Sequence, residues 1–574
     1  MNAATQGLVR LPVWRARFVL AALLAAFAVL GGRSVYLQAL QTGFLQEKGD
    51  ARYSRLIEAP ATRGRILDRN GEALAVSTPV KPVWAIPADT ELSGPERRKL
   101  ASLLSVERNE LAKKLEDASR DFVYLKRQVA PEVAESVAAL GLKGIYQHPE
   151  YRRYYPGGEV TAHVIGFTGV DDAGQEGIEL AHQASLGGKP GTRRVIKDRL
   201  GRIVEDVESI REAQDGRDLT LSIDSKIQNL AYGALKTAVV QHRAKAGAVV
   251  ALDVRSGEIL ALANVPSYNP NSRARLGGAQ LRNRVITDLF EPGSTLKPFT
   301  LALAIESGKL TPATTVQTAP GRLTIGNYTI HDTHPGAALS AAQVLQKSSN
   351  VGMAKIALSL PREAMWDLFK HVGFGAAPQL GFPGEAAGRL RHYRSWRPIE
   401  QATMAYGMGI SVSLVQLARA YTVFARDGEL VALSLVKTGT ATSGEKLLST
   451  ETARAVRAML ELAVQPGGTG PRARVMGWRV AGKTGTAHKQ ENGGYAPDKY
   501  VASFVGFAPA SAPRLLVAVM IDEPSTGEHY GGMVAAPVFA QVMQGALRMM
   551  GVAHDAPLEP PELPAEDEEA KENT

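Results

Sequence analysis

The chain has 574 residues, of which 45% are hydrophobic and 21% charged, a composition that allows two or three folded domains. It contains no cysteine, which excludes disulfides, thiolate metal sites and a cysteine nucleophile. The formal net charge of +9 suits an anionic partner, but the basic residues are dispersed along the chain. Nucleic-acid binding is therefore not predicted.

An apolar segment near the N-terminus predicts a membrane anchor. Arginines precede an uncharged run over residues 18–32, and after Arg33 the apolar character continues to Leu37. The segment 18–37 reaches the length of about 20 residues that a membrane-spanning helix needs, because the arginine side chain can extend to the interface. Positive charge before the run places residues 1–17 in the cytoplasm and exports the rest of the chain. A cleaved signal peptide is the alternative, but the end of the run offers a poor cleavage site.

The next block, residues 50–215, alternates short extended runs with helical patterns. A polar-faced helix is expected directly after the anchor, over about residues 38–52. Asn70-Gly71 is a strong hairpin signal, and helices are expected over about residues 95–117 and 131–140. The block is predicted to be an irregular α+β domain.

A second block, residues 216–552, has the pattern of an α+β domain with an antiparallel sheet flanked by helices. The expected elements are a helix over about 224–242, a hairpin at 248–263, a helix-rich stretch over about 294–463, strands that begin near Trp478, Val501 and Leu515, and a helix over about 536–550. Residues 553–574 are rich in proline and acidic residues, which cannot bury a core, so a disordered acidic tail is predicted there.

Three short motifs carry the candidate chemistry, and each one alone is a weak signal. In chain order they are Ser294-Thr-Leu-Lys297, Ser348-Ser-Asn350 and Lys483-Thr-Gly-Thr486. The same patterns recur elsewhere, and these competing matches begin at Ser267, Ser434, Lys437 and Ser443. Local context must therefore choose among them.

Ser294 has the context that a serine nucleophile needs. A Glu-Pro-Gly turn precedes it, and an apolar helix is expected from Ser294 to about Glu306. A helix start presents N–H groups to an oxyanion, and Lys297 shares the helix face because it lies three residues further on. A neutral lysine can take the serine proton if burial and nearby positive charge lower its pKa. An ordinary helix-capping serine is the alternative, while Ser434 and Ser443 lack a helix that would bring a lysine near them.

Context also distinguishes the other two motifs from their competitors. Lys483 is expected on an edge strand, which could pair with an extended substrate, whereas Lys437 is expected to be a solvated turn lysine. The segment from Ser348 to Asn350 is expected at the junction of two helices. There it is either a polar junction capped by the asparagine, or a hydroxyl that relays a proton beside an amide that holds substrate. The chain order of Ser294, Ser348 and Lys483 favours the second interpretation.

Two further patterns carry no predicted function. His331 and His334 lack a well-placed third ligand, so no metal site is expected. The glycine-rich segment from Tyr406 to Gly409 has no strand before it, so a phosphate-binding loop is not expected. No cofactor is predicted.

Together the three motifs resemble those of β-lactamases and penicillin-binding proteins. Longer stretches extend the likeness over nearly the whole chain and are similar to the class B penicillin-binding proteins, particularly their division-specific branch. These stretches are Arg63–Gly71, Tyr155–Gly166, Gly174–Glu179, Phe290–Pro298, Val480–Ala487 and Tyr530–Phe539. The resemblance implies a serine β-lactamase-like transpeptidase domain at 216–552 and a dimerisation-type pedestal at 50–215. Ala405 departs from the serine that is frequent in relatives, and little consequence is expected.

The resemblance implies a peptidoglycan D,D-transpeptidase that joins stem peptides ending in D-Ala-D-Ala and that β-lactams acylate. Ser294 would be the nucleophile and Lys297 the general base, while Ser348 and Asn350 would relay protons and orient the substrate. The implied residues of the third motif are Lys483, which keeps the general base neutral and attracts the substrate carboxylate, and Thr484, Gly485 and Thr486, which bind substrate. Backbone N–H groups of Ser294 and Thr486 would form the oxyanion hole.

The resemblance also implies a location and partners. The anchor would lie in the bacterial inner membrane with the catalytic domain in the periplasm, and FtsW and other division proteins would be partners. Residues of the first block that belong to the family's stretches would be structural rather than catalytic: Arg63, Asp68, Arg69 and Glu179.

Several alternatives stay open at this point. A β-lactamase would use an asparagine between the second and third motifs, and none occurs between Asn350 and Asn492. A bifunctional enzyme would need a glycosyltransferase domain before residue 216. A carboxypeptidase that uses water as acceptor and an elongation-specific relative remain possible. A non-enzymatic division scaffold or a β-lactam sensor is a different class of function, against which the three intact motifs argue.

Overall fold

The structure is a computed structural model that describes residues 12–40, 43, 54–197, 203–273, 277–333, 338–491 and 493–560. Its internal contacts divide the chain into two compact units. The first consists of Met1–Ala61, Val80–Glu150 and Lys189–Asp215, and the second of Thr62–Pro79, Tyr151–Gly188 and Gly216–Thr574. The predicted block 50–215 is thus shared between the units, since two of its segments belong to the second.

The N-terminal helix runs over Val13–Val35 and continues as a π-helical turn over Tyr36–Leu40. Its 23 residues extend about 35 Å, enough for a hydrocarbon core of about 30 Å. Within the described part of the chain it is the one helix long and apolar enough to cross a membrane. It begins five residues before the predicted anchor. The polar-faced helix predicted for residues 38–52 lies largely outside the described residues.

Besides the N-terminal helix, the described residues of the first unit form two small antiparallel sheets and three α-helices. One sheet comprises the strands Ser54–Ala59, Gly191–Lys197 and Ile203–Arg211, and the other comprises Val123–Lys126, Val83–Ala85 and Ile145–Gln147 with Val83–Ala85 in the middle. The helices are Gly94–Leu104, Arg108–Glu116 and Pro131–Ala138. The single helix predicted over 95–117 is broken because Ser105 takes a left-handed conformation, with φ of 49°, at the end of the first helix.

In the second unit, short segments from the first half of the chain form a small sheet beside a buried ion cluster. The sheet comprises the strands Leu219–Thr220, Ile66–Leu67, Ala73–Val80 and Glu150–Tyr154. The guanidinium groups of Arg63 and Arg153 each donate to the Glu179 carboxylate at 2.6 Å, and all three side chains are buried. A carboxylate shared by two arginines satisfies its charge without water.

A five-stranded antiparallel sheet forms the centre of the second unit. Its strands in spatial order are Ile259–Val265, Ala246–Asp253, Leu515–Asp522, Gly494–Ala508 and Ala481–Glu491. The last of these is called the edge strand below. The strand predicted to start near Trp478 starts three residues later, at Ala481, because Trp478 pairs with Val475 in an isolated bridge before the strand. The indole N–H of Trp478 donates to the Ala553 carbonyl.

Alternate residues of the central strands face different cores, as the pleat of a strand requires. Val249 and Ala251 pack with the helices Ser225–Gln241 and Ala536–Met549. Val250 and Leu252 belong to the core on the opposite face, which the helix-rich region fills. The predicted α+β class with helices flanking an antiparallel sheet is confirmed by this arrangement.

The remaining elements of the second unit are short or belong to the helix-rich region. The longer helices are Lys297–Glu306, Ala341–Gln346, Asn350–Leu358, Arg362–His371, Pro398–Met404, Leu414–Ala425 and Thr450–Leu462. The short helices are Ala162–Ile165, Gly177–Ala181, Gln183–Leu186, Gly278–Leu281, Arg284–Thr287 and Gly531–Val534. Three pairs of short strands complete the unit: Thr315–Gln317 with Ala338–Ser340, Arg322–Ile325 with Tyr328–His331, and Glu429–Leu430 with Glu445–Lys446.

The beginning of the predicted disordered tail is ordered. Asp555 accepts hydrogen bonds from the Arg479 backbone N–H and the Ser511 hydroxyl, both at 2.7 Å, and the Pro557 carbonyl accepts from Gly477. The His554 ring lies 4.4 Å from the Trp478 ring. The prediction of disorder is therefore wrong for the start of the segment, while residues 561–574 lie outside the described part.

Candidate active site

Ser294 lies in a tight turn that leads into a buried helix. The turn Gly293–Leu296 is a 3₁₀ helix, and the α-helix begins only at Lys297, three residues later than predicted. Gly293 has φ of +56°, a conformation that glycine adopts without strain. The Ser294 side chain is almost fully buried, and the Tyr421 hydroxyl donates to the Thr295 carbonyl at 2.6 Å. The nucleophile candidate is therefore held on a rigid support.

A short hydrogen-bonded path connects Ser294 to Lys297 through Ser348. The hydroxyl oxygens of Ser294 and Ser348 are 2.9 Å apart, and the Lys297 ammonium nitrogen donates to the Ser348 hydroxyl at 2.9 Å and to its carbonyl at 2.5 Å. The side chains of Lys297 and Ser348 are fully buried. The structure thus brings together three of the residues that the sequence singled out.

The second motif occupies the junction of two helices, as predicted, but its capping residue differs from the prediction. The Ser349 hydroxyl, rather than Asn350, caps the helix Asn350–Leu358 by accepting from the Gly352 N–H at 2.9 Å. Ser348 has a left-handed φ of +58°, the conformation in which helices commonly end, and it follows the helix Ala341–Gln346. The Asn350 amide oxygen is buried and has no hydrogen-bond partner among the described residues. A buried acceptor without a partner is suited to an N–H group of a bound molecule.

The third motif lies on the edge strand beside the nucleophile turn. A Cβ atom at Gly485 would lie 2.8 Å from the Pro292 carbonyl, and one at Gly293 would lie 3.2 Å from the Thr486 carbonyl. This close packing sets the outer edge of the sheet against Ser294. Since no strand of the described residues pairs with the other side of the edge strand, an extended chain could bind there.

Lys483 and its neighbours on the edge strand are buried. The Lys483 ammonium nitrogen donates to the hydroxyls of Thr469 at 3.1 Å and Thr484 at 3.0 Å, and those two hydroxyl oxygens are 2.7 Å apart. The Thr486 hydroxyl accepts from the Gly531 N–H at 3.0 Å. Thr484, which was expected to contact substrate, therefore lies in a network that holds Lys483.

Comparison with known proteins decides the family. The penicillin binding protein transpeptidase domain family matches residues 247–544, and the penicillin-binding protein dimerisation domain family matches residues 58–221. The chain belongs to the class B penicillin-binding proteins. Its predicted family and the transpeptidase fold of its second block are thereby confirmed.

Individual relatives of this penicillin-binding protein cover nearly its whole length. It is 46% identical to the probable peptidoglycan D,D-transpeptidase PenA of Neisseria gonorrhoeae, over 95% of this chain and 94% of that protein. It is 41% identical to the peptidoglycan D,D-transpeptidase FtsI of Escherichia coli K12, over 95% of this chain and 93% of that protein. The apo structure of the TP domain of Burkholderia pseudomallei penicillin-binding protein 3 is 49% identical, with a TM-score of 0.55, over 59% of this chain and 98% of that one.

Asp332 is a residue of this penicillin-binding protein that the sequence analysis did not assign to the site. One carboxylate oxygen accepts from the N–H groups of Asn350 at 2.6 Å and Val351 at 2.9 Å, and the other accepts from the Ser349 hydroxyl at 2.5 Å. Asp332 follows His331 directly in the sequence, and His334, the other histidine of that segment, lies outside the described residues. Asp332 instead fixes the start of the helix that carries Asn350. The one signal in the sequence was its place in a polar segment before the second motif.

Glu291 was also missed, although it stands three residues before Ser294. Its buried carboxylate accepts from the Gly409 N–H at 2.7 Å, the Gln490 side-chain amide at 2.8 Å and the Tyr495 hydroxyl at 2.9 Å. Burial raises the pKa of Glu291, and burial together with the charge of Glu291 raises the pKa of Tyr495 to about 12. Glu291 thus connects the nucleophile turn to the edge strand and to the glycine-rich segment.

The glycine-rich segment also contacts the nucleophile turn directly. Gly407 has φ of +84°, and a Cβ atom there would lie 2.2 Å from the Gly293 carbonyl oxygen and 2.5 Å from its nitrogen. Gly409, two residues on, has a similar φ of +81° but meets no atom closer than 3.7 Å. The tight fit thus explains the glycine at 407, whereas the glycine at 409 is favoured by its positive φ alone.

The competing motif matches lie elsewhere. Ser434 forms an isolated bridge with Glu258, outside any helix, and Lys437 is exposed. The prediction that Lys437 is merely solvated is incomplete, because its ammonium group donates to the Arg69 carbonyl at 2.8 Å. The N–H groups of Thr438 and Gly439 donate to the Glu258 carboxylate at 2.6 and 3.0 Å. This second Lys-Thr-Gly-Thr sequence is a structural turn.

Proposed function

We propose that this penicillin-binding protein is a serine-type peptidoglycan D,D-transpeptidase in which Ser294 carries the acyl group. One observation carries the proposal: Ser294, Ser348 and Lys297 form a continuous hydrogen-bonded path between a hydroxyl and an amine inside a buried site. A serine is a poor nucleophile until a base accepts its proton, and such a path provides the route.

In the acylation step, the Ser294 oxygen attacks the carbonyl carbon of the penultimate D-Ala of a stem peptide. Its proton moves to the Ser348 hydroxyl as that hydroxyl passes its own proton to a neutral Lys297. The bond to the terminal D-Ala then breaks, and the same path returns a proton to the leaving amine. An amine of a second stem peptide takes the place of the leaving group in the reverse sequence, which forms the cross-link and frees Ser294.

The other motif residues position the substrate in this proposal. The unpartnered amide oxygen of Asn350 accepts from a substrate N–H, and the backbone of the edge strand near Gly485 and Thr486 pairs with the extended stem peptide. N–H groups of Ser294 and Thr486 stabilise the oxyanion. Lys483 supplies positive charge that keeps the general base neutral and attracts the substrate carboxylate. Thr484 acts on Lys483 rather than on substrate, because its hydroxyl lies in the buried Lys483–Thr469 network.

The location follows from the N-terminal helix. Arg15 and Arg17 lie at its start, and positive charge on that side favours a cytoplasmic N-terminus. We therefore place the helix in the bacterial inner membrane and the part of the chain that follows it in the periplasm. The similarity to FtsI favours action at the division septum, with FtsW and other division proteins as partners.

Mass spectrometry after treatment with penicillin tests the site assignment. We expect one covalent adduct on Ser294, complete loss of the adduct in Ser294→Ala, and normal labelling in Ser434→Ala, which alters the competing Ser-x-x-Lys sequence. Labelling that persists in Ser294→Ala, or that maps to another serine, would show that the site is wrong. Analysis of products from a lipid-linked peptidoglycan precursor then separates cross-linked dimers from the uncross-linked tetrapeptide stems that a carboxypeptidase would leave after releasing D-Ala.

A further inference from the structure

A large cavity lies in the first unit and has no part in the catalytic site. Its volume is about 1180 Å³, above the size of a typical small-ligand pocket. Residues near the end of the strand Ser54–Ala59 line one part of it, and the segment Gly141–Glu150, which includes the strand Ile145–Gln147, lines another. Trp84, which lies between these two parts in the sequence, also lines the cavity.

Aromatic side chains form a row across the small sheet beside this cavity. Tyr124, Trp84 and Tyr146 occupy opposed positions on three neighbouring strands, so their side chains share one face. The centroids of the Trp84 and Tyr146 rings are 4.7 Å apart, and Phe122 lies 5.3 Å from Trp84. The other face of the sheet, which includes Val83 and Ala85, belongs to the unit's hydrophobic core.

The aromatic row is not itself part of that core. Trp84, Tyr124 and Tyr146 are half-buried, and 44% of Phe122 is exposed. The Trp84 indole N–H is buried yet has no hydrogen-bond partner in the part of the chain that the structure describes. An indole donor left without an acceptor costs free energy unless a bound molecule supplies one.

The polar residues of the cavity narrow the chemistry of that molecule. Among the residues that line the cavity, Glu58 supplies a carboxylate and Lys143 an ammonium group. A pyranose ring has one face of C–H groups that packs flat on an aromatic side chain and a rim of hydroxyl and acetamido groups that need hydrogen bonds. Neighbouring aromatic rings can therefore pack on successive sugars of a chain, while nearby polar side chains form hydrogen bonds with the hydroxyl and acetamido groups.

We propose that this cavity binds the glycan backbone of peptidoglycan, a chain of β-1,4-linked N-acetylated amino sugars, through Trp84 and Tyr146. The choice of polymer rests on the proposed function, since the enzyme that joins stem peptides acts on glycan chains that carry them. The Trp84 indole donates to a hydroxyl or acetamido oxygen, and the Tyr146 ring packs on the adjacent sugar. Through this site the protein binds its substrate independently of Ser294.

Binding of a peptide-free sugar chain to the full-length protein in detergent micelles tests the proposal. The probe is the β-1,4-linked tetramer of N-acetylglucosamine, titrated calorimetrically into protein that penicillin has already acylated, so that the catalytic site is blocked. We expect saturable binding that is unchanged by acylation and is weakened roughly tenfold or more by Trp84→Ala and by Tyr146→Ala. Trp366→Ala is the matched control, because Trp366 is also half-buried beside aromatic rings, with an indole N–H that lacks a described partner. It should bind the tetramer like wild type.

The outcomes separate this inference from the proposed function. Absence of tetramer binding by wild-type protein, or equal binding by wild type and both cavity variants, would overturn the inference while penicillin labelling of Ser294 still stood. Binding of a sugar-free stem peptide to the acylated protein, lost in Trp84→Ala, would assign the cavity to a peptide and equally overturn it. Failure of penicillin to label wild type would count against the proposed function instead. Melting curves and penicillin labelling show that each variant is folded, and Tyr146→Ala keeps the test valid if Trp84→Ala does not fold.

Discussion

The chain contains the sequence Lys-Thr-Gly-Thr twice, and the two copies have opposite environments. In the copy at Lys483 the lysine is fully buried on an edge strand beside Ser294, and its ammonium group contacts Thr469 and Thr484. In the copy at Lys437 the lysine is exposed in a turn and contacts the Arg69 carbonyl. Identical side chains in the same order therefore form a site in one place and a structural turn in the other.

A buried glutamate lies near each copy: Glu258 near Lys437 and Glu291 near the edge strand that carries Lys483. The two carboxylates differ in their hydrogen-bond donors and in the direction of their pKa shifts. Glu258 accepts from the N–H groups of the turn itself, and although burial alone would raise the pKa of Glu258, these hydrogen bonds lower it overall. Glu291 accepts from one backbone and two side-chain donors of separate segments, and burial dominates and raises its pKa. The surroundings that the fold provides, rather than the tetrapeptide, decide what each copy does.

The largest expected difference between the copies is in acylation. We expect Lys483→Ala to slow acylation by penicillin by about 100-fold or more, the range in which a lost catalytic charge or proton-transfer partner falls, and Lys437→Ala to leave it unchanged. Stopped-flow measurement with a fluorescent penicillin gives the rate constants. Equal rates for the two variants would contradict the conclusion that only the buried copy at Lys483 belongs to the active site.

A smaller effect is expected from Asp332, which supports the second motif as Glu258 supports the structural turn. Asp332→Ala removes the acceptor of two N–H groups and of the Ser349 hydroxyl, so Asn350 loses its fixed position. We expect acylation to slow about 10-fold, with Asp332→Asn in between because its amide oxygen still accepts. The rate should be measured on folded protein.

Asp68→Ala is the matched control for Asp332. The Asp68 carboxylate also accepts three hydrogen bonds, in this case all from backbone N–H groups, those of Asn70, Glu72 and Ser225, far along the chain from the three motifs. This variant should lower the melting temperature and keep the acylation rate. If Asp332→Ala behaved in the same way, Asp332 would be structural only.

Replacing each of the two glutamates by glutamine tests whether only the carboxylate near Ser294 affects acylation. Glu291→Gln keeps an acceptor for Gly409 but alters the pairing with Gln490 and Tyr495, so we expect roughly a 3-fold slower acylation. Glu258→Gln, which alters a carboxylate that is also buried, at the other copy, should not change the rate. A slower rate in Glu258→Gln alone would reverse the assignment.

The smallest predicted effect concerns pH. Because the folded protein lowers the pKa of Glu258, this residue adds stability above the ordinary pKa of a carboxyl group and loses it as the pH falls through the lowered value. Because burial raises the pKa of Glu291, this residue instead costs stability as the pH rises above the ordinary value. The melting temperature at pH 7 minus that at pH 4 should therefore decrease in Glu258→Gln and increase in Glu291→Gln. Shifts of the same sign in both variants would contradict the two directions.

Much of the fold could be predicted because it depends on local periodicity. The helix Ser225–Gln241 was expected within one residue, since Asp224 caps it by accepting from two backbone N–H groups of its first turn. The hairpin of Ala246–Asp253 and Ile259–Val265 follows from two apolar runs around a tight turn. The division into units was not predictable in this way, because Thr62–Pro79 and Tyr151–Gly188 join the second unit through contacts distant in sequence.

In the active site, too, contacts between residues distant in sequence could not be predicted. The motif residues were found because their spacing is local, and the path from Ser294 through Ser348 to Lys297 required only that two motifs meet. The roles of Glu291 and Asp332 were missed because their donors are spread over the chain. Thr484 was placed on the substrate from its motif alone, whereas the direction of its side chain is a property of the folded strand.

The close approach of Gly407 to the nucleophile turn bears on how antibiotic resistance could arise. Any side chain at that position would collide with the backbone beside Ser294, so a substitution there sacrifices cell-wall synthesis together with drug binding. Gly409 has room around it and is limited mainly by its backbone conformation. A side chain at 407 meets both a collision and backbone strain, whereas one at 409 meets strain alone, so alleles that survive selection by β-lactams should leave 407 untouched.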